Sequence, residues 1–360
     1  MSGAPTPAPP PVSPSPATSA APGAIADAAA AAGAAAAGAQ QASSLAAFVE
    51  RFALVGAWLL VIAGFGIALP GSFLTWQNFA VMFASQAPAA LLALALIVPL
   101  TCGDYDLSGG AVVTLAAVIL GVLNVVQQQS IGLALAVALA AGVLVGAVNA
   151  FFIVYVRIPS LVVTLGTASL VTGFVQWFSD SSTISGLDPT FVDWIITRQL
   201  FGISYAFYVA VLVALLLWYV FEYTPLGRRM LFVGKSREVA RLNGIRVDHV
   251  RAGALIASSV LATLAGIVYA GVLGSADPFS GLNFLLPAFA AAFLGATSIK
   301  PGRFNAWGTF IAVYFLASGI TGLSMFGIPL WVTSAFNGAA LIIAVTLSQF
   351  ARGRAESDLG

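Results

Sequence analysis

This sequence predicts an all-α protein that crosses a membrane about ten times, and three observations predict it. Hydrophobic residues make up 60% of the chain and charged residues only 8%, with a mean hydropathy of +0.99, whereas a soluble globular chain carries about 25% charged residues. Charges cut the apolar region into blocks that hold one or two spans each, at about 20 residues per span. The Lys and Arg residues fall almost entirely in alternate gaps, as the positive-inside rule requires.

The elements follow in order. Residues 1–44 repeat Pro, Ala and Ser around a single charge, Asp27, with no amphipathic period. Such a stretch cannot bury a core and reads as a disordered cytoplasmic tail. It has no basic start, and Pro stands where a signal peptide would be apolar, so a leader is the poorer reading. The membrane domain is expected over 45–351, with its first spans near 53–69 and 79–100, parted by Pro70, Gly71 and the polar run 75–78. Spans near 109–126 and 131–156 are parted by Gln127, Gln128, Gln129 and Ser130, and single spans are expected within 158–179, 199–221, 252–276 and 278–299. The block 304–351 holds two more, turning near Met325 to Pro329, and a short tail, 352–360, follows. A span, a Gly-rich turn and another span occur near 89–126 and again near 284–323, a faint echo that a five-plus-five inverted repeat would leave.

With the N-terminus inside, ten spans put Arg51, Arg157, seven basic residues from Arg228 to Arg251, Lys300, Arg303, Arg352 and Arg354 on one side, and Arg198 alone on the other. One miscounted span would invert every later loop, so this distribution supports both termini lying in the cytoplasm. The long outward loop, Ser179 to Leu200, carries Asp180, Asp188 and Asp193 against Arg198 and suits an extracytoplasmic partner.

Half of the fourteen Lys and Arg residues lie in the inner loop 222–251. Pro225 and Gly227 end the sixth span, and a short helix is expected to follow. Ser236 is its N-cap, Glu238 occupies the first turn, and Asn243 with Gly244 stops it. Val239, Ala240 and Leu242 are expected on one side, and Arg237 and Arg241 at i, i+4 spacing on another. Such a helix suits a groove on a soluble partner; the simpler reading is orientation and contact with anionic lipid. Gly234, Lys235 and Ser236 mimic the end of a phosphate-binding loop, but the Gly required five residues before Gly234 is Arg229, so ATP is not hydrolysed by that route.

Acids within a membrane cost about 2.5–3.5 kcal/mol each on insertion scales and are functional candidates by default. Asp104 and Asp106 are the candidates here; the competing reading is that Asp106 or Ser108 caps the third span. Asn149, Thr164 and Asn283, with the aromatic face of Phe174, are the neutral groups a pore for a hydroxylated solute would need, although interhelical bonding is the commoner use of such residues. A lone Cys, Cys102, excludes an intramolecular disulfide and reads as a packing residue. Gly142 and Gly146 are spaced for close helix approach. No metal site and no nucleic-acid partner are expected.

Four ordered stations resemble one family. Thr224 to Gly271, through Gly227, Gly234, Ala240, Arg241, Leu242, Gly244, Ile245, Val247, Leu264, Ala265 and Gly266, is similar to the inner loop and following helix of ABC-transporter permeases of the ribose and branched-chain amino acid type. Gly103 to Gly110 resembles their Gly-Gly-Ile-Asp-Leu-Ser-Val-Gly signature, Asn149 to Thr167 with Ile158 and Pro159 their Ile-Pro and Thr-Leu-Gly run, and Gly295 to Ser298 with Pro301 to Arg303 their Gly-Gly-Thr-Ser and Gly-Gly-Arg-Gly turn. Asp104, Ala296 and Phe304 stand where the family has Gly, and the first puts two acids one residue apart.

The resemblance implies the permease subunit of an ATP-driven importer in a bacterial inner membrane, not itself an enzyme. It would carry a small polar solute, most readily a monosaccharide, and pair with a second permease, either a copy of itself or a related chain. A cytoplasmic ABC ATPase would bind ATP and Mg and grip Lys235, Arg237, Glu238, Ala240, Arg241, Leu242 and Gly244. An extracytoplasmic binding protein would deliver the solute, and the chain itself would bind no cofactor. Branched-chain amino acids or nucleosides are alternative cargoes. An ion-coupled secondary transporter using Asp104 and Asp106 is the alternative mechanism.

Overall fold

The computed structural model describes residues 51–357, so the expected tail over 1–44 lies outside the described residues. The fold is all-α and polytopic, with four two-residue strands at the loops. Helix α1 is Arg51–Ala68, followed by α2 (Trp76–Ser85), α3 (Ala87–Thr101) and α4 (Gly109–Leu120). Then come α5 (Ile131–Ala150), α6 (Ser160–Phe178), α7 (Pro189–Val192) and α8 (Tyr205–Tyr223). The basic loop forms α9 (Pro225–Lys235) and α10 (Arg237–Leu242), and α11 (Val247–Leu273), α12 (Gly281–Gly295), α13 (Ala306–Met325) and α14 (Leu330–Ser357) complete the chain. Helices α4 and α5 continue as wider π turns, over Gly121–Val126 and Phe151–Tyr155.

Among the described residues, eight helices are long and apolar enough to cross a membrane, or nine if the bent pair α2–α3 is one span. The expected second span is thus broken. The Pro88 ring lacks an N–H and would press on the Ala84 carbonyl one turn back, so α2 stops at Ser85 and α3 leaves it at 46°. The span expected over 278–299 is shorter than predicted: α12 has 15 residues, about 22 Å of helix against a hydrocarbon core of about 30 Å. An Asp277 side chain that accepts the Phe279 N–H at 3.0 Å holds the preceding segment in a turn.

Every residue of α3 is buried, as expected of a helix that is apolar all round. It packs against α8, α11, α12 and α13, while α4 packs against α5, α6, α11 and α12. The two parts of the sequence echo therefore meet, α3 with α12 and α13 and α4 with α12. Gly142 and Gly146 do bring helices close: a Cβ on either would run into Ser259, Thr263 or Ile256 of α11.

The loops collect at two ends of the bundle. At one end the Arg51 carbonyl accepts from the Ile299 N–H and the Ser298 hydroxyl, both at 2.8 Å, Lys300 pairs with Glu222, and Arg237 and Arg251 meet Asp104. At the other, β1 (Ile184–Ser185) pairs antiparallel with β4 (Ser275–Ala276), and the Asn124 side chain accepts the Asp188 N–H at 2.8 Å. There β2 (Gln199–Leu200) and β3 (Ile203–Ser204) form a hairpin. The loop expected to face outward is thus folded onto the bundle, and the sixth span begins only at Tyr205, because the residues from Gln199 belong to the hairpin.

Candidate functional site

The basic loop differs from its expected form in one element. Thr224 accepts the Gly227 N–H at 3.4 Å, and Pro225 takes the first helical position, where its missing N–H costs nothing, so α9 forms where only a turn was expected. Ser236 then breaks the chain in extended geometry and caps α10 through the Val239 N–H at 3.4 Å, and Gly244 exits at φ +76°. These are the predicted cap and stop. The three apolar residues of α10 do not share a side: Ala240 is buried, while Val239 and Leu242 are exposed, Leu242 to 85%. At about 100° per residue, Val239 and Leu242 lie about 60° apart and Ala240 points elsewhere.

Gly234 fixes α9 against the bundle, since a Cβ there would overlap the Thr101 carbonyl at the end of α3. This seats α10 beside the turn 102–108. Asp104 in that turn is 2% exposed and accepts from three guanidinium nitrogens. Arg251 of α11 binds it in bidentate fashion, Nε to Oδ2 and Nη2 to Oδ1, both at 2.7 Å. Arg237 of α10 reaches Oδ1 at 3.0 Å and the Gly103 carbonyl at 3.2 Å. Two cations around one carboxylate satisfy a buried charge that would otherwise be costly. One acid therefore joins α10, α11 and the α3–α4 turn. Asp104, Arg157, Arg237, Arg241, Asp248 and Arg251 line a cavity of about 480 Å³, where Arg241 also pairs with Asp248 at 3.0 Å.

Asp106 begins a second chain of hydrogen bonds, made otherwise of uncharged side chains. Its Oδ1 accepts from the Ser108 N–H at 3.1 Å and the Ser108 hydroxyl at 2.5 Å, and its Oδ2 accepts from Ser258 of α11 at 2.8 Å. The Asn149 amide donates to the Ser108 hydroxyl at 2.9 Å, and Thr167 donates to Asn149 Oδ1 at 2.7 Å. Burial holds the Asp106 carboxyl above its usual range, against the opposing pull of the Ser108 and Ser258 bonds. Thr164 donates to the Ser160 carbonyl at 2.8 Å and lies 3.5 Å from the Tyr105 carbonyl.

Asp104, Asp106, Asn149 and Thr164 are thus brought together around one turn. Phe174 and Asn283 are not: Phe174 faces outward beside Leu144 and Leu170, and Asn283 is exposed at the start of α12. Lys235 and Glu238 lie exposed on the outer side of α9 and α10. Sequence reasoning missed Ser258 and the role of Arg251. The signal for Arg251 was present, since an acid near a membrane needs a counter-ion and Arg251 directly precedes the expected seventh span. Among the described residues, no cluster of three His, Cys, Asp or Glu could hold a metal.

Cys102 is buried beside this site, and burial, followed by the charge of Asp104, pushes its thiol up to about 12. Only about one thiol in ten thousand is then ionised at pH 8. In folded protein, N-ethylmaleimide is expected to leave Cys102 unmodified, and mass spectrometry should find one adduct per chain only after denaturation.

A family model described as the permease component of branched-chain amino acid transport systems matches residues 77–345. An autoinducer 2 import system permease protein LsrD from Photorhabdus laumondii is 33% identical over 303 residues, 82% of this chain and 90% of the relative. The corresponding LsrC from Enterobacter sp. is 31% identical over 296 residues, 81% of this chain and 85% of the relative. LsrD from Yersinia pseudotuberculosis is 32% identical over 263 residues, 71% and 78% of the two chains. No solved structure matches the chain.

Proposed function

The chain belongs to the family of branched-chain amino acid transport system permease components, and on that premise we propose that it is the membrane-spanning subunit of an ATP-driven importer whose cargo is a small, uncharged, polar solute of the monosaccharide class. It is a translocation subunit and not an enzyme. The observation that carries the reading is α10, which shows Val239 and Leu242 outward at a strongly basic end while Arg237 ties the same helix to the buried Asp104. Two exposed apolar side chains flanked by Lys235 and Arg241 form a plug for a groove on a soluble partner, and Arg237 carries its displacement to α3, α4 and α11. That partner is a cytoplasmic ABC ATPase, which holds ATP and Mg. The basic end and both termini then face the cytoplasm, and the opposite end, with its folded loops, receives the extracytoplasmic binding protein.

The cargo follows from charge. Among the described residues the buried ionisable acids and bases are Asp104, Asp106 and Arg251, and all three are engaged with protein partners. None is left for the ammonium and carboxylate of an amino acid, or for an ion relay. The names of the relatives, autoinducer 2 import permeases, point away from amino acids as well. A second permease copy packs on α6, where Gly166, Ser169 and Gly173 are exposed at small-residue spacing and no atom lies near a Cβ built on either glycine.

The test is affinity purification from detergent-solubilised membranes. The native chain is expected to bring an ATPase with it, and Val239→Asp with Leu242→Asp to lose it while leaving the Asp104 contacts and the yield of folded protein unchanged. Equal recovery of the ATPase by both forms would refute the docking role of α10.

A further inference from the structure

The end of the bundle opposite the Asp104 site holds a smaller cavity, of about 230 Å³, to which no role has yet been attached. It exists because α2 departs from the line of α3 by 46° and the β2–β3 hairpin closes over the gap. Gln77 and Ser85 of α2 line one side, and Gln199 and Ser204, cross-strand partners in the hairpin, line the other. No ionisable side chain lines it.

Three features single it out as built for a ligand. Ser204 is 3% exposed and stands at the N-terminus of α8, yet its hydroxyl neither caps that helix nor bonds any described residue. A buried hydroxyl without a partner is rare, because its desolvation is uncompensated. The side chains of Gln77 and Gln199, both exposed, stand at the open rim of the same cavity, where water or a solute can meet them. Finally, the hairpin turns through Phe201 at φ 54° and Gly202 at φ 78°, a two-residue turn that is natural for Gly and strained for Phe. That turn lays Gly202 against the Trp76 indole, where a Cβ would stand 2.8 Å from Nε1. Gly202, held in this way, forms part of the cavity wall.

We propose that this pocket, at the end of the bundle away from Asp104, is a binding site for a neutral polyhydroxylated solute, an inference that rests on the importer reading above. Amides and hydroxyls each donate and accept, which matches sugar hydroxyls, and the absence of charge disfavours ions and zwitterions. The volume, about 230 Å³, equals about eight waters, enough for one monosaccharide ring. Ser204 and Gln199 recognise solute hydroxyls.

The test uses the full chain with its ATPase and binding protein in membrane vesicles, and radiolabelled D-ribose, D-galactose and L-leucine as probes. Native vesicles are expected to accumulate a sugar. Gln199→Leu and Ser204→Ala should each raise KM for that sugar about tenfold, with maximal rate and ATPase recovery within about twofold of native and Ser204→Thr restoring KM. Because Cys102 is buried, a Ser85→Cys chain offers one accessible thiol. A membrane-impermeant methanethiosulfonate should label it from the periplasmic side, and the transported sugar should slow labelling at least fivefold. Sugar accumulation with KM unchanged in both variants, or labelling indifferent to the sugar, overturns the pocket and leaves the importer reading standing. Accumulation of leucine in place of sugar, or of none of the probes, overturns both.

Discussion

Replacing Arg251 with Ala is expected to destabilise the protein by about 3–5 kcal/mol, because it leaves the carboxylate of Asp104 buried with its main counter-charge gone. The Arg251 side chain is 9% exposed and that of Asp104 is 3% exposed, so the pair is little screened by solvent and its loss is felt more than that of a surface pair. Asp104→Gly alone should cost a similar amount for the mirror-image reason, a buried cation without its acid. The double variant Asp104→Gly with Arg251→Leu should recover to within about 1–2 kcal/mol of native, since a buried ion pair replaced as a unit by apolar groups is often neutral. Arg237, 42% exposed in the same cluster, should contribute less than about 1 kcal/mol when replaced by Ala, because solvent screens it. Denaturant unfolding in detergent measures all four. Additive losses in the double variant would show that Arg251 and Asp104 act independently.

Gly234→Val is expected to uncouple the inner loop from the bundle. The overlap of any Cβ with the Thr101 carbonyl is a backbone contact that no rotamer change relieves, so α9 must move away from α3. Overpacking of this kind costs about 1–3 kcal/mol, less than the loss of Arg251, but it displaces the element that carries α10. Solute uptake should fall at least tenfold while the ATPase still co-purifies, because the exposed Val239 and Leu242 are unchanged. Gly253→Val, on a helix of the same end where a Cβ meets nothing within 4 Å, should leave uptake within about twofold. Native-like uptake by Gly234→Val would mean that α9 is free to shift without consequence.

The sequence made the all-α membrane fold legible through two coarse signals, block length and the position of Lys and Arg, both of which report bilayer thickness and charge rather than packing. It resolved α10 to within a residue, because Ser236, Asn243 and Gly244 are local devices that act on their own backbone. What it could not resolve depended on contacts distant in the chain. The 46° break at α3 needs a proline read as a stop within an apolar run, and α12 starts late because Asp277 holds the residues before it in a turn. Arg251 and Ser258 lie 147 and 152 positions from the acids they serve, and no local pattern marks such pairs. Phe174, expected as an aromatic face for a pore, faces outward, because the polar residues of α6 are spread around the helix and its pattern does not say which side meets protein.

The complete burial of α3 bears on how the chain is made. This helix touches no lipid in the finished bundle, but its principal neighbour α11 begins about 150 residues further along. At about 5–20 residues per second, roughly 8 to 30 s pass between their emergence from the ribosome. During that interval α3 waits among lipids or insertion factors, and Asp104 waits without the guanidinium that later neutralises it. Helices α1 to α3 therefore enter the membrane as a provisional arrangement, and synthesis of α11 is the event that converts it into the native one.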